Sequence, residues 1–196
     1  MYESLMKGNW DKIPKFKNLE TGQVKILKTS NDKVFTVLGS CVSVIFFVPK
    51  LMSLICHAQL PTQSKYEFIS SGSGTLPSFK NGVDSLDLMY VDCSVDYMVN
   101  VLLKNKINFK GIHTTVLGGA SVFGNLNSTN SIGNQNIAVA KNILAKYHIK
   151  INRELIGGDK GLTIWYYAGS NKLIVNRHTE NIRFELNDVH YPSFLT

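Results

Sequence analysis

Residues 34–61 read VFTVLGSCVSVIFFVPKLMSLICHAQLP. This stretch is rich in Val, Ile and Phe, and Lys50 is its only formally charged residue. A membrane-spanning helix needs about 20 predominantly apolar residues, whereas Gly, Ser, Thr and Pro repeatedly interrupt this run. We therefore predict two buried strands, over 42–48 and 51–57, joined by a turn at Pro49–Lys50, and no insertion into a membrane.

The rest of the chain predicts a strand-rich α/β domain with two helices and one core. Asp92 is a candidate N-cap for the first helix, because apolar residues follow it at helical spacing up to Leu103. Strands and helices do not alternate regularly, which argues against a doubly wound parallel sheet. Further strands are predicted over 23–27, 34–37, 112–117, 149–156, 162–167 and 172–176, and the second helix over 134–147.

The two ends of the chain lack the periodic pattern of the residues between them. Residues 1–21 are predicted to be an N-terminal arm, 22–177 the domain and 178–196 a C-terminal tail. Residues 62–85 are rich in Ser, Gly, Thr and Pro, which is typical of an exposed loop or insertion. The chain has 196 residues, of which 44% are apolar, so it can bury a full core and is not mainly disordered.

Charge and cysteine content narrow the functional classes. The net charge of +7 allows an acidic partner, but a basic enzyme is preferred here to a nucleic-acid-binding protein. The three cysteines are odd in number and lack metal-like spacing. This pattern argues against a disulfide framework or a metal site and favours the reducing cytoplasm. The N-terminal sequence contains no apolar core of a secretory signal.

Cys41 and His57 are the candidate catalytic pair. Gly39 and Ser40 are predicted to form a tight turn between two strands that presents Cys41 at a sheet edge, with backbone N–H groups available as an oxyanion hole. A cysteine attacks as the thiolate, so it needs a neighbour that lowers its pKa. A histidine on the next strand can supply that base, and we expect a sulfur–nitrogen distance of about 3–4 Å. Strand alternation then turns Cys56 to the opposite face.

From the residues alone, other interpretations stay open. Composition alone favours Cys41 as a small buried core residue and His57 as a surface histidine, because single cysteines and histidines are common inside proteins. Ser40 is a weaker candidate nucleophile, because no acid–histidine pattern accompanies it. The paired glycines at 118–119 and 157–158 lack the spacing of phosphate-binding loops.

In the order in which they occur, the motifs of this chain resemble the CheD family of chemoreceptor glutamine deamidases from bacterial chemotaxis. The resemblance covers roughly residues 22–177. The matching stretches are LGSCV at 38–42, HAQLP at 57–61, YVD at 90–92, GGASVF at 118–123, IGNQN at 132–136 and GG at 157–158.

The resemblance implies a layered sheet-and-helix fold, similar to the catalytic domain of the deamidating necrotizing toxins. It also implies a Cys–His–Thr catalytic group without a cofactor, in which Cys41 attacks a receptor glutamine and His57 activates the thiol. Thr36 is the candidate third member. Gly118, Gly119, Ala120 and Asn136 belong to the motifs that would support the site. The implied partners are chemoreceptor cytoplasmic domains and a CheC-type phosphatase.

Thr36 departs from the family pattern, which places Thr six residues before the cysteine. Here Phe35 occupies that position and Thr36 lies one residue nearer to Cys41. We predict that a shortened turn brings the Thr36 hydroxyl within about 3.5 Å of His57. The alternatives are a CheD-like binding module that docks receptors or the phosphatase without efficient turnover, and a cysteine hydrolase with an unrelated protein substrate.

Overall fold

The structure, a computed structural model, describes residues 15–63, 87–121, 131–178 and 183–186. Within these residues the chain forms two α-helices, ten strands and two short 3₁₀ helices, at Asp87–Met89 and Phe109–Gly111. The helices are α1 (Val91–Lys104) and α2 (Ile132–Lys146). The strands are β1 (Lys17–Asn18), β2 (Gln23–Leu27), β3 (Lys33–Leu38), β4 (Val42–Val48), β5 (Met52–His57), β6 (His113–Gly118), β7 (Ile151–Ile156), β8 (Leu162–Tyr167), β9 (Lys172–Arg177) and β10 (Arg183–Leu186).

Two five-stranded sheets are stacked in the described part of the molecule. The inner sheet has the order β2-β5-β4-β6-β7, and the outer sheet has the order β1-β3-β8-β9-β10. Strands β4, β5 and β6 pair antiparallel, whereas β6 and β7 are parallel and are connected through α2. The helices cover one face of the inner sheet and the outer sheet covers the other. The architecture is therefore a layered α/β domain, as the sequence predicts.

The predicted single core is wrong, because the described residues form two apolar layers. Strand β4 is buried along its whole length. Its even-numbered residues, such as Val44 and Phe46, pack with the helices, whereas Ile45 packs between the two sheets with Leu38 and Ile164. A strand buried on both faces loses the polar alternation that marks a half-exposed strand, and its sequence becomes a continuous apolar run.

Two local predictions are also corrected. The N-cap of α1 is Tyr90 rather than Asp92. Asp92 lies inside the first turn, is 1% exposed, and accepts hydrogen bonds from the backbone N–H groups of Cys93 and Gln63. The Gly39–Ser40 segment is not a turn within one sheet, because β3 belongs to the outer sheet and β4 to the inner sheet. The chain crosses between the layers at this point.

The outer sheet extends past both ends of the segment 22–177. Strand β1 pairs with β3 in parallel, and Leu19 directly after it is 1% exposed. Strand β10 pairs antiparallel with β9. Most of the predicted arm, the loop over 62–85 and the C-terminal tail lie outside the described residues. Neither α1 nor α2 combines the length and apolar character needed to cross a membrane.

Candidate active site

Cys41 and His57 lie on the same face of the inner sheet, at one end of the β4–β5 pair. The pairing of Ile45 with Ile55 continues to a bridge between Val42 and Ala58, which exchange both backbone hydrogen bonds. In this register Cys41 and His57 are diagonal neighbours, which in an ordinary sheet have Cα atoms about 7–8 Å apart. Both side chains face the outer sheet, whereas Cys56 faces the helices.

The imidazole of His57 is held between both sheets and the segment that follows β1. Nδ1 lies 2.8 Å from Thr36 Oγ1 and 3.3 Å from the Leu19 carbonyl oxygen. Nε2 lies 3.4 Å from Thr21 Oγ1. The ring is buried, because His57 is only 5% exposed. These contacts leave the imidazole little freedom to rotate.

The hydrogen bonds of Thr36 determine the tautomer of His57. The Thr36 hydroxyl donates its single proton to the Leu19 carbonyl at 2.8 Å. Its oxygen is then the acceptor for His57, so Nδ1 must carry the ring proton. Nε2 is consequently the unprotonated nitrogen, and its lone pair accepts the hydrogen bond from the Thr21 hydroxyl at 3.4 Å. This is the nitrogen that can take a proton from another group.

Thr36 reaches His57 from the facing sheet, which corrects the predicted route. Along β3 the side chains of Val34, Thr36 and Leu38 point inward, while Phe35 and Val37 point outward. Strand β3 pairs with β8 and not with β4, so it lies across the inter-sheet space from β5. Thr36 therefore approaches the imidazole from the opposite layer, and no shortened turn is required.

Cys41 is only partly exposed, and its thiol is protonated at rest. Burial raises the pKa of the Cys41 thiol, while the backbone N–H groups of Cys41 and Gly39 oppose that shift. Burial also lowers the pKa of His57 against the opposing effect of the Leu19 carbonyl. The hydrogen bond that the sequence led us to expect between the Cys41 sulfur and a His57 nitrogen is not found in the described residues. The resting state is thus a neutral thiol beside a neutral imidazole, and not the ion pair that a lowered thiol pKa would give.

The loop that carries Cys41 is clamped by the end of β6. The Gly119 N–H donates to the Cys41 carbonyl at 2.7 Å, and the Ala120 N–H donates to the Gly39 carbonyl at 3.0 Å. Gly118 has φ +98°, and a Cβ at this position would overlap the Cys41 carbonyl oxygen. The glycine allows the backbones of β6 and the Cys41 loop to come close together. The predicted supporting residues Gly118, Gly119 and Ala120 therefore hold the Cys41 loop through backbone contacts.

Asn136 on α2 fixes the same loop from the helical layer. Its Nδ2 donates to the Ser40 carbonyl at 2.9 Å and to the Gln59 carbonyl at 2.8 Å. The residue is fully buried. Because one amide spans both carbonyls, it ties the loop before β4 to the segment that leaves β5. Asn136 therefore fixes the backbone beside Cys41 and close to His57.

The remaining cysteines lie apart from this arrangement. Cys56 is 1% exposed, accepts a hydrogen bond from the Val44 N–H, and has its pKa raised to about 12 by burial. Cys93 is buried on α1, where burial and nearby carboxylates raise its pKa. Neither thiol faces His57. Cys41 is the one partly exposed cysteine of the three.

Sequence reasoning missed Leu19 and Thr21, and it missed a third residue, Ser43. The register places Ser43 on β4 directly opposite His57. Its hydroxyl is buried and has no hydrogen-bond partner in the described structure. The alternation of Cys41, Ser43 and Ile45 along β4 is the only sequence signal that could have identified it. Leu19 acts through its backbone carbonyl, which carries no sequence signal.

Comparisons with known proteins confirm the family that the sequence resembles. Residues 75–177, more than half of the chain, match the family model described as CheD chemotactic sensory transduction. A probable chemoreceptor glutamine deamidase CheD of Archaeoglobus fulgidus is 30% identical over 140 residues, which cover 70% of this chain and 78% of that protein.

Two other relatives align over longer stretches. The probable chemoreceptor glutamine deamidase CheD of Caldanaerobacter subterraneus is 27% identical over 174 residues, covering 86% of this chain and 98% of that protein. The probable chemoreceptor glutamine deamidase CheD 2 of Geobacter sulfurreducens is 26% identical over 145 residues, covering 74% and 79%. The family model matches more than half of this chain, and the three relatives align over most of their own lengths. The chain therefore belongs to the CheD family.

Proposed function

We propose that this protein deamidates glutamine side chains of chemoreceptor cytoplasmic domains, with Cys41 as nucleophile. The observation that carries the proposal is the 2.8 Å contact between Thr36 Oγ1 and His57 Nδ1, which leaves Nε2 unprotonated in a side chain that lies on the same sheet face as Cys41. Only the long 3.4 Å contact with the Thr21 hydroxyl has to give way before Nε2 can accept the thiol proton. The relatives named as probable chemoreceptor glutamine deamidases support the substrate class. The likeness to the catalytic domain of the deamidating toxins stays a prediction of the resemblance.

Acylation begins when Nε2 of His57 takes the proton of the Cys41 thiol. The sulfur then attacks the side-chain amide carbon of glutamine, and the carbonyl π electrons move to the oxygen. When the tetrahedral intermediate collapses, the carbon–nitrogen bond breaks. His57 returns its proton to the nitrogen, which leaves as ammonia, and a thioester to Cys41 remains. A thiol that is neutral at rest suits this route, because the proton moves only when the substrate is in place.

The developing oxyanion requires hydrogen-bond donors beside the sulfur. The backbone N–H groups of Gly39 and Cys41 lower the pKa of the Cys41 thiol against the effect of burial. In the tetrahedral intermediate the oxyanion and the sulfur are bonded to the same carbon, so the oxyanion forms close to the sulfur. These N–H groups, together with that of Ser40, are therefore the proposed oxyanion hole. Gly119, Ala120 and Asn136 hold the loop that presents them.

Deacylation uses the same base. Nε2 of His57 takes a proton from water, and the resulting hydroxide attacks the thioester carbon. The carbon–sulfur bond breaks, the thiolate recovers the proton from His57, and the product is glutamate. The Thr36 hydroxyl keeps the Nδ1 proton in place during both steps, so one nitrogen serves as base and acid throughout.

The decisive experiment compares Cys41→Ala with the parent on a purified receptor cytoplasmic fragment. We expect the parent to convert specific glutamines to glutamate, detected by peptide mass spectrometry, and Cys41→Ala to convert none while keeping the circular dichroism of the parent. Cys56→Ala is the matched control, because Cys56 lies on the opposite face of the same sheet. Retained conversion by Cys41→Ala would exclude the thioester route.

The same experiment distinguishes the binding-module alternative. The raised pKa of Cys41 and the missing hydrogen bond to His57 are the observations in its favour. A module that docks receptors or a CheC-type phosphatase in the cytoplasm would bind the fragment but leave its mass unchanged. Trapping of a covalent adduct between the parent and a glutamine peptide, absent from Cys41→Ala, would exclude this alternative.

A further inference from the structure

The Leu19 carbonyl oxygen contacts both the Thr36 hydroxyl and the His57 imidazole. It accepts the Thr36 hydroxyl proton at 2.8 Å and lies 3.3 Å from His57 Nδ1. Thr36 and His57 are themselves joined at 2.8 Å. The three groups form a closed triangle, and the carbonyl is the one member that can only accept. Because the carbonyl has no proton to donate, Thr36 and His57 must each donate toward it. The Thr36 oxygen is then left to accept from His57 Nδ1.

We propose that the backbone carbonyl of Leu19 is a positioning group of the active site, which fixes the imidazole of His57 with its proton on Nδ1. The inference rests on the proposed function and assigns a role to the segment that follows β1. Leu19 does not touch the reacting atoms, so it acts through Thr36 and His57. The Thr21 hydroxyl of the same segment favours the same tautomer through its longer 3.4 Å contact with Nε2. The carbonyl is a backbone group, which explains why sequence patterns do not reveal its role.

The triangle would fail without an acceptor at this place. If the Thr36 hydroxyl had no carbonyl to bind, it would be free to donate its proton to Nδ1 instead. The ring proton would then move to Nε2, where it blocks the lone pair that must deprotonate Cys41. The carbonyl removes this alternative by occupying the Thr36 proton. It also stabilises the imidazolium formed during catalysis, because it raises the pKa of His57 against the effect of burial.

The fold holds the carbonyl in place through short-range and long-range contacts. The Leu19 N–H donates to the Phe35 carbonyl at 2.8 Å, next to Thr36 on β3. The Leu19 side chain is buried and packs in the inter-sheet core. Lys17 forms a 2.7 Å ion pair with Asp32 at the start of β3. A buried side chain and a paired N–H leave the carbonyl a single direction, toward Thr36 and His57.

An amide-to-ester replacement tests the carbonyl directly. Position 20 is exposed, so Glu20→Tyr and the same chain with the corresponding α-hydroxy acid at position 20 can be compared. The two chains differ only in the link after Leu19, where the ester carbonyl is a weaker acceptor. The ester also removes the Glu20 N–H, which donates to Gln23 Oε1 at 3.2 Å. Gln23→Ala in the Glu20→Tyr chain controls for that loss.

We expect the ester to shift His57 toward the Nε2–H tautomer, observed by nitrogen NMR of chains labelled at histidine and assigned with His57→Gln. The acid limb of the pH–rate profile should move to lower pH, and turnover should fall about three- to tenfold. Gln23→Ala should change none of these. An ester chain with the same tautomer and the same pH profile as its amide partner overturns the proposal, even if its stability has changed.

Thr36→Val keeps the proposal testable if the ester chain does not fold. This variant removes the hydroxyl, and the Leu19 carbonyl becomes the remaining acceptor near Nδ1. We expect Nδ1 to keep its proton in Thr36→Val, with turnover reduced about 10- to 100-fold and restored in Thr36→Ser. Loss of the Nδ1 proton in Thr36→Val would show that the carbonyl does not hold the tautomer.

The tautomer is measured without a substrate, so this inference can fail independently of the proposed function. If the parent does not deamidate receptors but the ester shifts the tautomer, the positioning role stands and the deamidase proposal is wrong. If the parent deamidates receptors and the ester changes nothing, the positioning role is wrong and the deamidase proposal stands.

Discussion

His57 combines a buried ring with a nitrogen that carries no proton. The ring is 5% exposed, both Nδ1 contacts hold the ring proton, and Nε2 has only a 3.4 Å contact with the Thr21 hydroxyl. Burial keeps the imidazole neutral by disfavouring the charged form. A base that is neutral and oriented before the substrate arrives avoids the cost of rearrangement during the reaction.

The reactivity of Cys41 should reveal its protonated resting state. Because burial raises the pKa of the thiol, we expect alkylation by iodoacetamide to be slow at neutral pH. The rate should still be rising above about pH 8.5, where a free cysteine is half ionised. Stopped-flow labelling followed by peptide mapping measures this rate at Cys41, with a small cysteine peptide as the reference. A plateau below about pH 8 would contradict the burial argument.

His57 should also make the folded state sensitive to acid. Folding lowers the pKa of His57, so the unfolded chain binds a proton first as the pH falls below about 6.5. The contribution of neutral His57 to stability is therefore complete above that pH and is lost as the pH falls toward the folded pKa. Urea unfolding between about pH 5 and 7.5 measures the slope in the parent and in His57→Gln. Equal slopes would show that His57 does not titrate differently on folding.

At the level of strands and loops, the Cys41 loop depends on glycines where two backbones approach. Gly118 has a positive φ and no room for a Cβ beside the Cys41 carbonyl, whereas Gly157 has φ +70° and a Cβ added there would have nothing within 4 Å. Conformational strain alone costs about 1–2 kcal/mol for a non-glycine residue with positive φ. An alanine at Gly157 would therefore show the cost of backbone strain alone, whereas an alanine at Gly118 would add the cost of steric overlap.

We expect Gly118→Ala to destabilise the protein more than Gly157→Ala, by about 1–3 kcal/mol beyond the shared strain. Because the overlap falls on the Cys41 carbonyl, deamidation should decrease in Gly118→Ala even at temperatures where the chain is fully folded. Denaturant unfolding and receptor deamidation, measured on both variants, check the two parts. Similar effects of both substitutions would mean that the close approach of Gly118 to the Cys41 carbonyl contributes neither to stability nor to activity.

The strands show which features of the fold are readable from sequence. Strands β2, β4 and β8 have the predicted bounds, because β-branched and aromatic residues form them and turn residues flank them. Strand β1 escapes sequence-based prediction because two residues, Lys17 and Asn18, carry no periodicity. The Cys41–His57 pair is readable because it depends on neighbouring strands. The route of Thr36 is not, because it depends on how two sheets stack.

Considering the whole molecule, the net charge of +7 should affect association with acidic partners. Charge interactions between exposed groups are screened beyond about 8 Å at physiological ionic strength. If the receptor fragment carries acidic patches, kcat/KM should fall as salt rises, with kcat nearly constant. A short neutral glutamine peptide is the control and should respond much less. Equal salt dependence of the two substrates would exclude long-range attraction as a factor in recognition.

The rate of the proposed reaction should depend on whether strand β1 and the residues after it are docked on the outer sheet. Strand β1 consists of two residues that pair with one neighbouring strand, and Lys17 forms an ion pair with Asp32. Short terminal elements open at a much smaller free energy than the core. If Leu19 positions His57, only molecules with this segment docked are competent, so the observed rate is the intrinsic rate multiplied by the docked fraction. The activity of the site would then report an equilibrium at the edge of the outer sheet, and a ligand that favours the docked segment would act as an activator without approaching Cys41.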